Sequence, residues 1–283
     1  MIDLGNYSKE DRIIMANMFY KWTTLNYEDE INACVKNTIR CQENGVLDLP
    51  EPRFKETDSY LVDLDTVSCI FEYQEPGHTI AVLNFASYKN PGGMFLNGSS
   101  AQEEALCHQS ILYPVLLNFV EDYYAPHQKT LNRALYEDDA LYTKGVRFFD
   151  YELKKEDGKF KWHKTDTTIA DVITCAAPNV GIYCRYNGGS PISDECMNAL
   201  CSRIITVLNT AVIGGCEDLV LGAFGCGVFK NDPVSVSDYF MDYIHKEYRG
   251  QFRKIFYAVP KGKSSKNYDA FKSMIKTYDV IEL

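Results

Sequence analysis

Apolar residues recur along this chain at different spacings, and each spacing predicts a different kind of element. Between residues 7 and 41 the spacing is roughly helical, as shown by Ile13, Ile14, Met18, Phe19 and Trp22. Pro50 and Pro52 then break the helical pattern. We therefore expect residues 1–55 to form a helical N-terminal extension, which packs on a single structural unit formed by residues 56–283.

The rest of the chain alternates between apolar runs and amphipathic segments. Strands are predicted at 60–64, 67–73, 79–86, 146–153, 159–163, 169–177, 218–223, 252–259 and 279–283. Helices are predicted from Glu103 towards Tyr124, after Ser193 up to Gly214, after the Asp232-Pro233 pair, and at 266–276. This alternation predicts an α/β protein with a three-layer α/β/α fold around a central mixed sheet.

The hairpin predicted around Glu156-Asp157-Gly158 is rich in lysine. Its basic residues are Lys154, Lys155, Lys159, Lys161 and Lys164. They form either a patch that contacts phosphates or an ordinary solvated hairpin tip, and the sequence leaves both interpretations open.

Composition and charge restrict the class of partner. The chain has 283 residues and a net charge of −10, and a chain of this size buries a core without disulfide bonds. Because general attraction to nucleic acids depends on Lys and Arg, we expect no general nucleic-acid binding. The N-terminus has no signal-peptide pattern, and no apolar run approaches the ~20 residues that span a bilayer. We expect a cytoplasmic protein without a membrane partner.

Cysteine and histidine spacings do not predict a metal site. The ten cysteines include no C-x-x-C pair, and several lie in apolar runs, as Cys175 does. We expect buried free thiols in a reducing compartment. His108, His127 and His163 are interpreted as surface or packing residues. The sequence therefore predicts neither a metal nor a cofactor.

The stretch 82–104 carries the strongest chemical signal in the chain. A strand-like run leads into the turn Pro91-Gly92-Gly93, and two adjacent carboxylates, Glu103 and Glu104, follow at the start of a helix. Glycines allow the backbone to approach a ligand closely, and carboxylates beside such a loop can donate or accept a proton. This order is what a site that cleaves glycosides or nucleotides needs.

A structural interpretation of the same residues is also open. Ser100 and Glu103 have the spacing of a capping box, and Ser99 is a second candidate N-cap. Acidic residues in a first helical turn also interact favourably with the helix dipole. On this alternative the acidic pair stabilises a helix and has no catalytic role.

A second glycine-rich loop, GAFGCGVFKN at 222–231, lies between a predicted strand and a predicted helix. Its order is G-x-x-G-x-G, which differs from the dinucleotide-binding G-x-G-x-x-G, and it lacks the Lys-Ser/Thr pair of a P-loop. Such loops bind phosphates at helix N-termini, beyond the carboxyl ends of strands. A tight structural turn is the alternative. Phe229 favours the binding role, because its ring could pack on a ribose or a base.

Taken together, these motifs resemble the microbial-type poly(ADP-ribose) glycohydrolases, a branch of the macrodomain superfamily. Their mark is a Gly-Gly-Gly loop, a spacer and Gln-Glu-Glu. Here the loop is Gly92-Gly93-Met94, the spacer has seven residues, and Gln102-Glu103-Glu104 follows. The runs LNFAS at 83–87, AAPN at 176–179 and GAFGCGVFKNDP at 222–233 appear in the same order as in that family. The resemblance covers roughly residues 60–260, and it departs from the family at Met94 and Phe224.

The resemblance implies roles for individual residues. Glu104 would protonate the departing ribose oxygen and then activate water, while Glu103 would hydrogen-bond the hydroxyls of the leaving-side ribose. A helix N-terminus lowers the pKa of a glutamate, so burial or a second carboxylate must raise it again in a general acid. Ligand-binding roles are implied for Asn84, Ser87, Gly92, Gly93, Met94, Gln102, Gly225, Cys226, Gly227, Val228 and Phe229. Phe224 is expected only to pack, and Asn84 could equally be a core residue.

Three functions follow from this resemblance. The first is hydrolysis of the ribose–ribose bonds of poly(ADP-ribose) with release of ADP-ribose. The second is an ADP-ribose-binding macrodomain whose hydrolysis is weak because of Met94. The third is a hydrolase that acts on another ADP-ribosyl linkage, to protein or nucleic acid. The intact Gln-Glu-Glu favours the first and third, and the expected partner is poly(ADP-ribose) or an ADP-ribosylated macromolecule.

Overall fold

The computed structural model describes residues 2–42, 45–156, 159–262 and 264–283. Its α-helices are α1 (Lys9–Asn26), α2 (Glu28–Lys36), α3 (Thr66–Tyr73), α4 (Gln102–His108), α5 (Leu112–Leu116), α6 (Ala125–Lys129), α7 (Val180–Asn187), α8 (Asp194–Gly214), α9 (Pro233–Lys246) and α10 (Lys266–Met274). Its strands are β1 (Ile39–Cys41), β2 (Asp58–Val62), β3 (Ile80–Phe85), β4 (Ala140–Glu156), β5 (Lys159–Cys175), β6 (Asp218–Leu221), β7 (Lys254–Ala258) and β8 (Ile281–Glu282). Short 3₁₀ turns lie at Leu4–Asn6, Phe95–Asn97, Leu117–Phe119 and Asn132–Ala134, and a π-helical turn lies at Val120–Tyr124.

The eight strands of the described residues form one mixed sheet in the order β1-β4-β5-β3-β6-β7-β2-β8. The pairs β1/β4 and β4/β5 are antiparallel, and the other pairs are parallel. One face of the sheet packs on α1 to α5, and the other face packs on α8 to α10. The predicted three-layer α/β/α fold with a mixed central sheet is therefore confirmed.

This topology brings the sequence motifs together at the carboxyl ends of the central strands. Strand β3 lies between β5 and β6 and runs parallel to both. The LNFAS, AAPN and GAFGCGVFKNDP runs begin near the carboxyl ends of β3, β5 and β6. Parallel neighbouring strands have their carboxyl ends on the same side of the sheet, so the three runs lie side by side. In open α/β sheets, ligands bind at these carboxyl ends.

The N-terminal segment is helical up to residue 36, but its end differs from the prediction. Ile39–Cys41 pairs with β4 as an edge strand. This pairing is held by Arg40, whose guanidinium donates to the buried carboxylate of Asp139. The helical spacing over 7–41 could not reveal this long-range ion pair. The proposed boundary between 1–55 and 56–283 stays a prediction.

Two further predictions of secondary structure were wrong. The run 67–73 is not a strand, because Asp65 caps the helix α3 by accepting a hydrogen bond from the Ser68 amide at 2.9 Å. The helix predicted from Glu103 towards Tyr124 ends at His108, where the chain turns to contact β4. The Phe149 amide donates to the Gln109 carbonyl at 2.8 Å. Short apolar runs do not distinguish strands from helices by spacing alone.

The lysine-rich hairpin is confirmed as the β4–β5 pair, which continues the antiparallel ladder out to Glu156 and Lys159. Its turn residues Asp157 and Gly158, and the side chains of Lys155 and Lys159, lie outside the described residues. The Lys154 ammonium forms an ion pair with Glu152 at 3.0 Å.

Helix α8 is longer and more apolar than the sequence-based expectation on membrane-spanning runs had allowed. By length and composition alone, its 21 residues are long and apolar enough to cross a membrane. In the structure 61% of the apolar window is buried inside the protein. The buried Arg203 guanidinium donates to the Ala176 carbonyl and to Asp138. These contacts make α8 a core helix of this fold.

Candidate active site

Gly93 places its backbone directly against both members of the acidic pair. Its φ is +61°, and a Cβ at this position would lie 2.5 Å from Glu104 Oε1 and 2.9 Å from Glu103 Oε2. These two carboxylate oxygens therefore lie no more than about 5.4 Å apart. Gly92 has a φ of +64°, and a Cβ there would lie 2.5 Å from the Tyr113 ring. Only glycine allows the loop to close on the carboxylates in this way.

Glu103 is 3% exposed and is held by protein donors from the LNFAS run and from the glycine loop, where the Gly92 backbone amide contributes. The Ser87 amide donates to its Oε2 at 2.7 Å, and the Asn84 side-chain amide donates to its Oε1 at 3.3 Å. Burial raises the pKa of Glu103 to about 8; the Ser87 hydrogen bond opposes this rise, and the charge of Glu104 adds to it. A carboxyl group that retains its proton near neutral pH is thus built into the site.

Glu104 is 5% exposed and differs from its neighbour in one important respect. The Met94 amide donates to its Oε1 at 2.9 Å, whereas its Oε2 has no hydrogen-bond partner among the described residues. A buried, unpaired carboxylate oxygen is costly unless a ligand or water satisfies it. Oε2 of Glu104 is therefore the carboxylate oxygen of the acidic pair that is free to act on a substrate.

The capping-box interpretation of this helix was wrong. The residue that precedes α4 is Ala101, and no side-chain hydrogen bond caps the helix. The Glu103 side chain turns away from Ser100 towards Ser87 and Asn84. The acidic pair faces the glycine loop and does not serve the helix end.

Gln102 fastens α4 to the sheet. Its Oε1 accepts a hydrogen bond from the Phe85 amide at 2.9 Å, and its Nε2 donates to the Leu83 carbonyl at 2.8 Å and to Thr66 Oγ1 at 3.1 Å. These three bonds engage the whole side-chain amide with protein groups. The contacts support a positioning role, and the predicted ligand contact of Gln102 remains a prediction.

Helix α1 supports the glycine loop from outside. The Arg12 guanidinium donates to the Gly98 carbonyl at 2.8 Å. Tyr20 contacts Tyr113 edge-to-face, with 5.1 Å between ring centroids, and Tyr113 lies against Gly92. The N-terminal helix is thus part of the structure that holds the loop in place.

The second glycine-rich loop lies beside the first. The ring of Phe85, at the end of β3, meets the buried ring of Phe224 at 5.7 Å. Phe224 is confirmed as a packing residue, because it is fully buried between Phe85 and Phe240. Gly225 has a φ of +70°, and a Cβ there would lie 2.5 Å from Ala177 Cβ.

The predicted ligand contacts in this loop differ in exposure. Gly227 and Val228 are exposed, whereas Cys226 and Phe229 are half-buried. Burial raises the pKa of the Cys226 thiol to about 12, so this thiol stays protonated. The Phe229 carbonyl accepts a hydrogen bond from the Gly181 amide at 2.9 Å, which ties the loop to α7.

Two contributors to this site were missed by sequence reasoning. Asn231 donates to the Pro178 carbonyl at 2.8 Å and so joins the loop to the AAPN run. Tyr136 packs edge-to-face on Phe229 at 6.0 Å and stacks on Tyr88 at 4.1 Å. The sequence could have pointed to Asn231, because this residue lies inside the GAFGCGVFKN motif. Tyr136 carries no such signal, since it lies in an irregular segment and has a φ of +67°.

The raised pKa of Glu103 predicts a dependence of stability on pH. Folded Glu103 keeps a proton that an ordinary glutamate releases at the same pH. The stability that the folded state gains from this proton is present at low pH and is lost as the pH rises through about 8. Glu103→Gln mimics the protonated form, so its melting temperature should fall less than that of the wild type between pH 5 and pH 9. Thermal melts followed by circular dichroism measure the difference. The exposed Glu51→Gln variant should follow the wild type; parallel curves for Glu103→Gln would contradict the prediction.

Comparisons with known proteins agree with this geometry. A family model described as the catalytic domain of microbial-type PARG, poly(ADP-ribose) glycohydrolase, matches residues 10–150. The chain is similar in structure to PARG from Thermomonospora curvata, with 27% identity, a TM-score of 0.76, and coverage of 93% of this chain and 99% of that chain. It is also similar to PARG from Deinococcus radiodurans in complex with ADP-ribose, with 28% identity, a TM-score of 0.70, and coverage of 87% and 97%. No curated protein sequence matched the chain.

Proposed function

Because the chain belongs to the microbial-type poly(ADP-ribose) glycohydrolase family, we propose that it cleaves the ribose–ribose O-glycosidic bonds of poly(ADP-ribose) and releases ADP-ribose. The observation that carries this proposal is the closure of the Gly93 backbone on two buried, adjacent carboxyl groups, Glu103 and Glu104. The Deinococcus radiodurans structures that contain ADP-ribose support the choice of ligand.

Glu104 is the residue that we assign as general acid. Its Oε1 is fixed by the Met94 amide, so its Oε2 points in a defined direction and has no partner in the part of the chain that the structure describes. From there it protonates the departing ribose oxygen while the anomeric carbon passes through an oxocarbenium-like state. The resulting carboxylate then activates the attacking water, as general acid–base catalysis requires.

Glu103 has a different task. Neighbouring helical residues point about 100° apart, so the two carboxyl groups reach different atoms of the substrate. The Ser87 and Asn84 donors hold Glu103 in place, and its raised pKa keeps a proton in the buried pair near neutral pH. We assign Glu103 to the hydroxyls of the ribose on the leaving side.

The second loop is assigned to the diphosphate. Its glycines at 225 and 227 let the backbone amides approach the phosphates, which suits a protein with a net charge of −10. Phe229, supported by Tyr136, forms a wall against which the terminal ribose packs. An anionic ligand is thus held by local backbone donors.

Release of ADP-ribose from defined substrates tests the proposed function. The protein is incubated with poly(ADP-ribose) chains of known length and, separately, with mono-ADP-ribosylated peptides, and free ADP-ribose is measured by mass spectrometry. We expect rapid release from the chains and little from the peptides. Release from the peptides alone would identify another ADP-ribosyl linkage as the substrate, and binding without release would identify a binding module.

Met94 stands where the motif of the family that the sequence resembles places a third loop glycine, and we expect it to restrict access of the polymer. Its side chain is 49% exposed, and its backbone already holds Glu104, so removing the side chain leaves the acid in place. Met94→Gly should raise kcat/KM on chains by roughly 3–10-fold, up to about 1.4 kcal/mol. The affinity for free ADP-ribose, measured by calorimetry, should change less.

Met94→Ala is the matched control for this prediction, because it shortens the side chain without adding backbone freedom. If the methionine side chain limits access, the alanine variant should behave like the glycine variant. Equal changes in polymer turnover and ADP-ribose affinity, or no change in either, would show that Met94 does not control access.

A further inference from the structure

An aromatic pocket lies between α1 and the β4–β5 hairpin. It has a volume of about 110 Å³ and is lined by Phe19, Trp22, Phe149, Tyr151, Trp162 and Lys164. This set, called the aromatic pocket below, contains both tryptophans of the chain. None of its members belongs to the two glycine-rich loops or to the acidic pair.

The shape of the aromatic pocket suits one flat ring. Phe149 and Tyr151 are buried and close its floor, while Trp22 and Trp162 are half-buried and reach its mouth. The two indole rings lie 5.9 Å apart with 34° between their planes. An apolar cavity of about 150 Å³ encloses benzene, so this smaller, open pocket of about 110 Å³ covers only part of one planar heterocycle, and the remainder lies outside its mouth. A whole nucleotide does not fit inside.

Charge at the mouth selects the kind of ring. Among the described residues, Lys164 is the only charged one that lines the aromatic pocket. It lies two residues after Trp162 on β5, so both side chains lie on the same face of the strand. Lys164 is exposed and forms no ion pair among the described residues. A cationic ligand would be repelled here, and a purely apolar side chain would leave the ammonium unused. A heterocycle that carries a phosphate would use both features.

We propose that the aromatic pocket binds an adenine nucleotide, with the base against the indole rings and the phosphate at Lys164. Aromatic side chains stack on any base, and a nearby cation holds the backbone phosphate. The choice of a nucleotide follows from the aromatic pocket alone. The choice of adenine rests on the proposed function, whose substrate is a polymer of adenine nucleotides. The chemistry is shared by a free nucleotide and by one unit of a polymer.

The aromatic pocket is connected to the active site through α4. The Tyr151 hydroxyl donates to the His108 carbonyl at 2.7 Å, in the last turn of that helix. His108 lies four residues after Glu104, which corresponds to about 6 Å along the helix axis.

Intrinsic fluorescence tests the proposal directly, because both tryptophans lie in the aromatic pocket. The wild-type protein is titrated with AMP and, separately, with inorganic phosphate at matched ionic strength, with excitation at the red edge of the indole band. AMP should quench the fluorescence saturably, and phosphate should not. Lys164→Glu should weaken AMP binding about tenfold, and Lys164→Arg should retain it. The exposed Lys276→Glu makes the same change of charge elsewhere and should behave as wild type.

No saturable quenching by AMP, or quenching that is equal in Lys164→Glu and wild type, would overturn the proposal. These results do not depend on hydrolysis, so a protein that fails to release ADP-ribose can still show the pocket. Kinetics with long chains distinguish the two sources of the nucleotide. If Lys164→Glu raises KM for chains without changing kcat, the occupant is a polymer unit. If quenching depends on Lys164 but KM is unchanged, the occupant is a free nucleotide.

Discussion

Glu104→Gln should reduce kcat on poly(ADP-ribose) by about 10²–10⁴-fold, the usual contribution of a general acid. The amide keeps the size and shape of the side chain, and its oxygen can still accept the hydrogen bond from the Met94 amide. What is lost is the proton that Oε2 delivers to the departing ribose oxygen. Single-turnover measurement of ADP-ribose release separates this chemical step from product release.

Binding provides the control for this substitution. Because the assigned phosphate and ribose contacts lie in other residues, the affinity of Glu104→Gln for ADP-ribose should stay within a few-fold of the wild type by calorimetry. Glu51→Gln, an exposed residue remote in sequence from both loops, should keep full activity. Turnover near the wild-type rate in Glu104→Gln would show that another group supplies the proton.

Two opposing effects act on the pKa of Glu103: the helix dipole lowers it, and burial raises it. The N-terminus of α4 favours ionised glutamate, but such dipole interactions contribute about 0.3–1 kcal/mol, less than one pKa unit. Full burial of a carboxyl group can raise its pKa by up to 3–5 units. For Glu103 burial is the larger effect, and the pKa rises to about 8. The requirement stated for the general acid concerns Glu104, so the raised pKa of Glu103 leaves that requirement a prediction.

The elements that position the site could be predicted because their signals are local. The apolar run of β3, the glycines at 92 and 93, and the Asp232-Pro233 start of α9 each act within a few residues. Asp232 indeed caps α9 by accepting from the Ser235 amide at 2.9 Å. Once β5, β3 and β6 pair in parallel, the motifs at their carboxyl ends must meet.

What could not be predicted depends on contacts between distant parts of the chain. The spacing of Ser100 and Glu103 fits a capping box, and only the contact with Ser87, distant in sequence, shows that the carboxylate turns elsewhere. Tyr136 reaches Phe229 through a backbone with positive φ, which its residue type does not suggest. Spacing rules describe neighbours along the chain, and these contacts are made across it.

The substitution Gly93→Ala should abolish most activity while leaving the protein folded. The new Cβ would lie 2.5 Å from Glu104 Oε1 and 2.9 Å from Glu103 Oε2, so both carboxyl groups must move. Displacements of about 1 Å in a catalytic group can cost about 10²-fold in rate, and we expect a loss of at least this size in kcat/KM. The displaced atoms are side-chain ends, so we expect a loss of stability of only about 1–2 kcal/mol, part of it from positive φ.

Gly215→Ala separates the effect of the clash from that of the backbone. Gly215 also has a positive φ, +82°, but no atom lies within 4 Å of the position that its Cβ would occupy. It should therefore lose only the part of the stability that positive φ accounts for and keep its activity, whereas Gly93→Ala should lose activity although its melting temperature falls only a little further. Normal turnover in a folded Gly93→Ala protein would mean that the loop does not have to close on the acidic pair during catalysis. An equal loss of activity in both variants would assign the effect to backbone strain, and the close approach of Gly93 would then have no catalytic role.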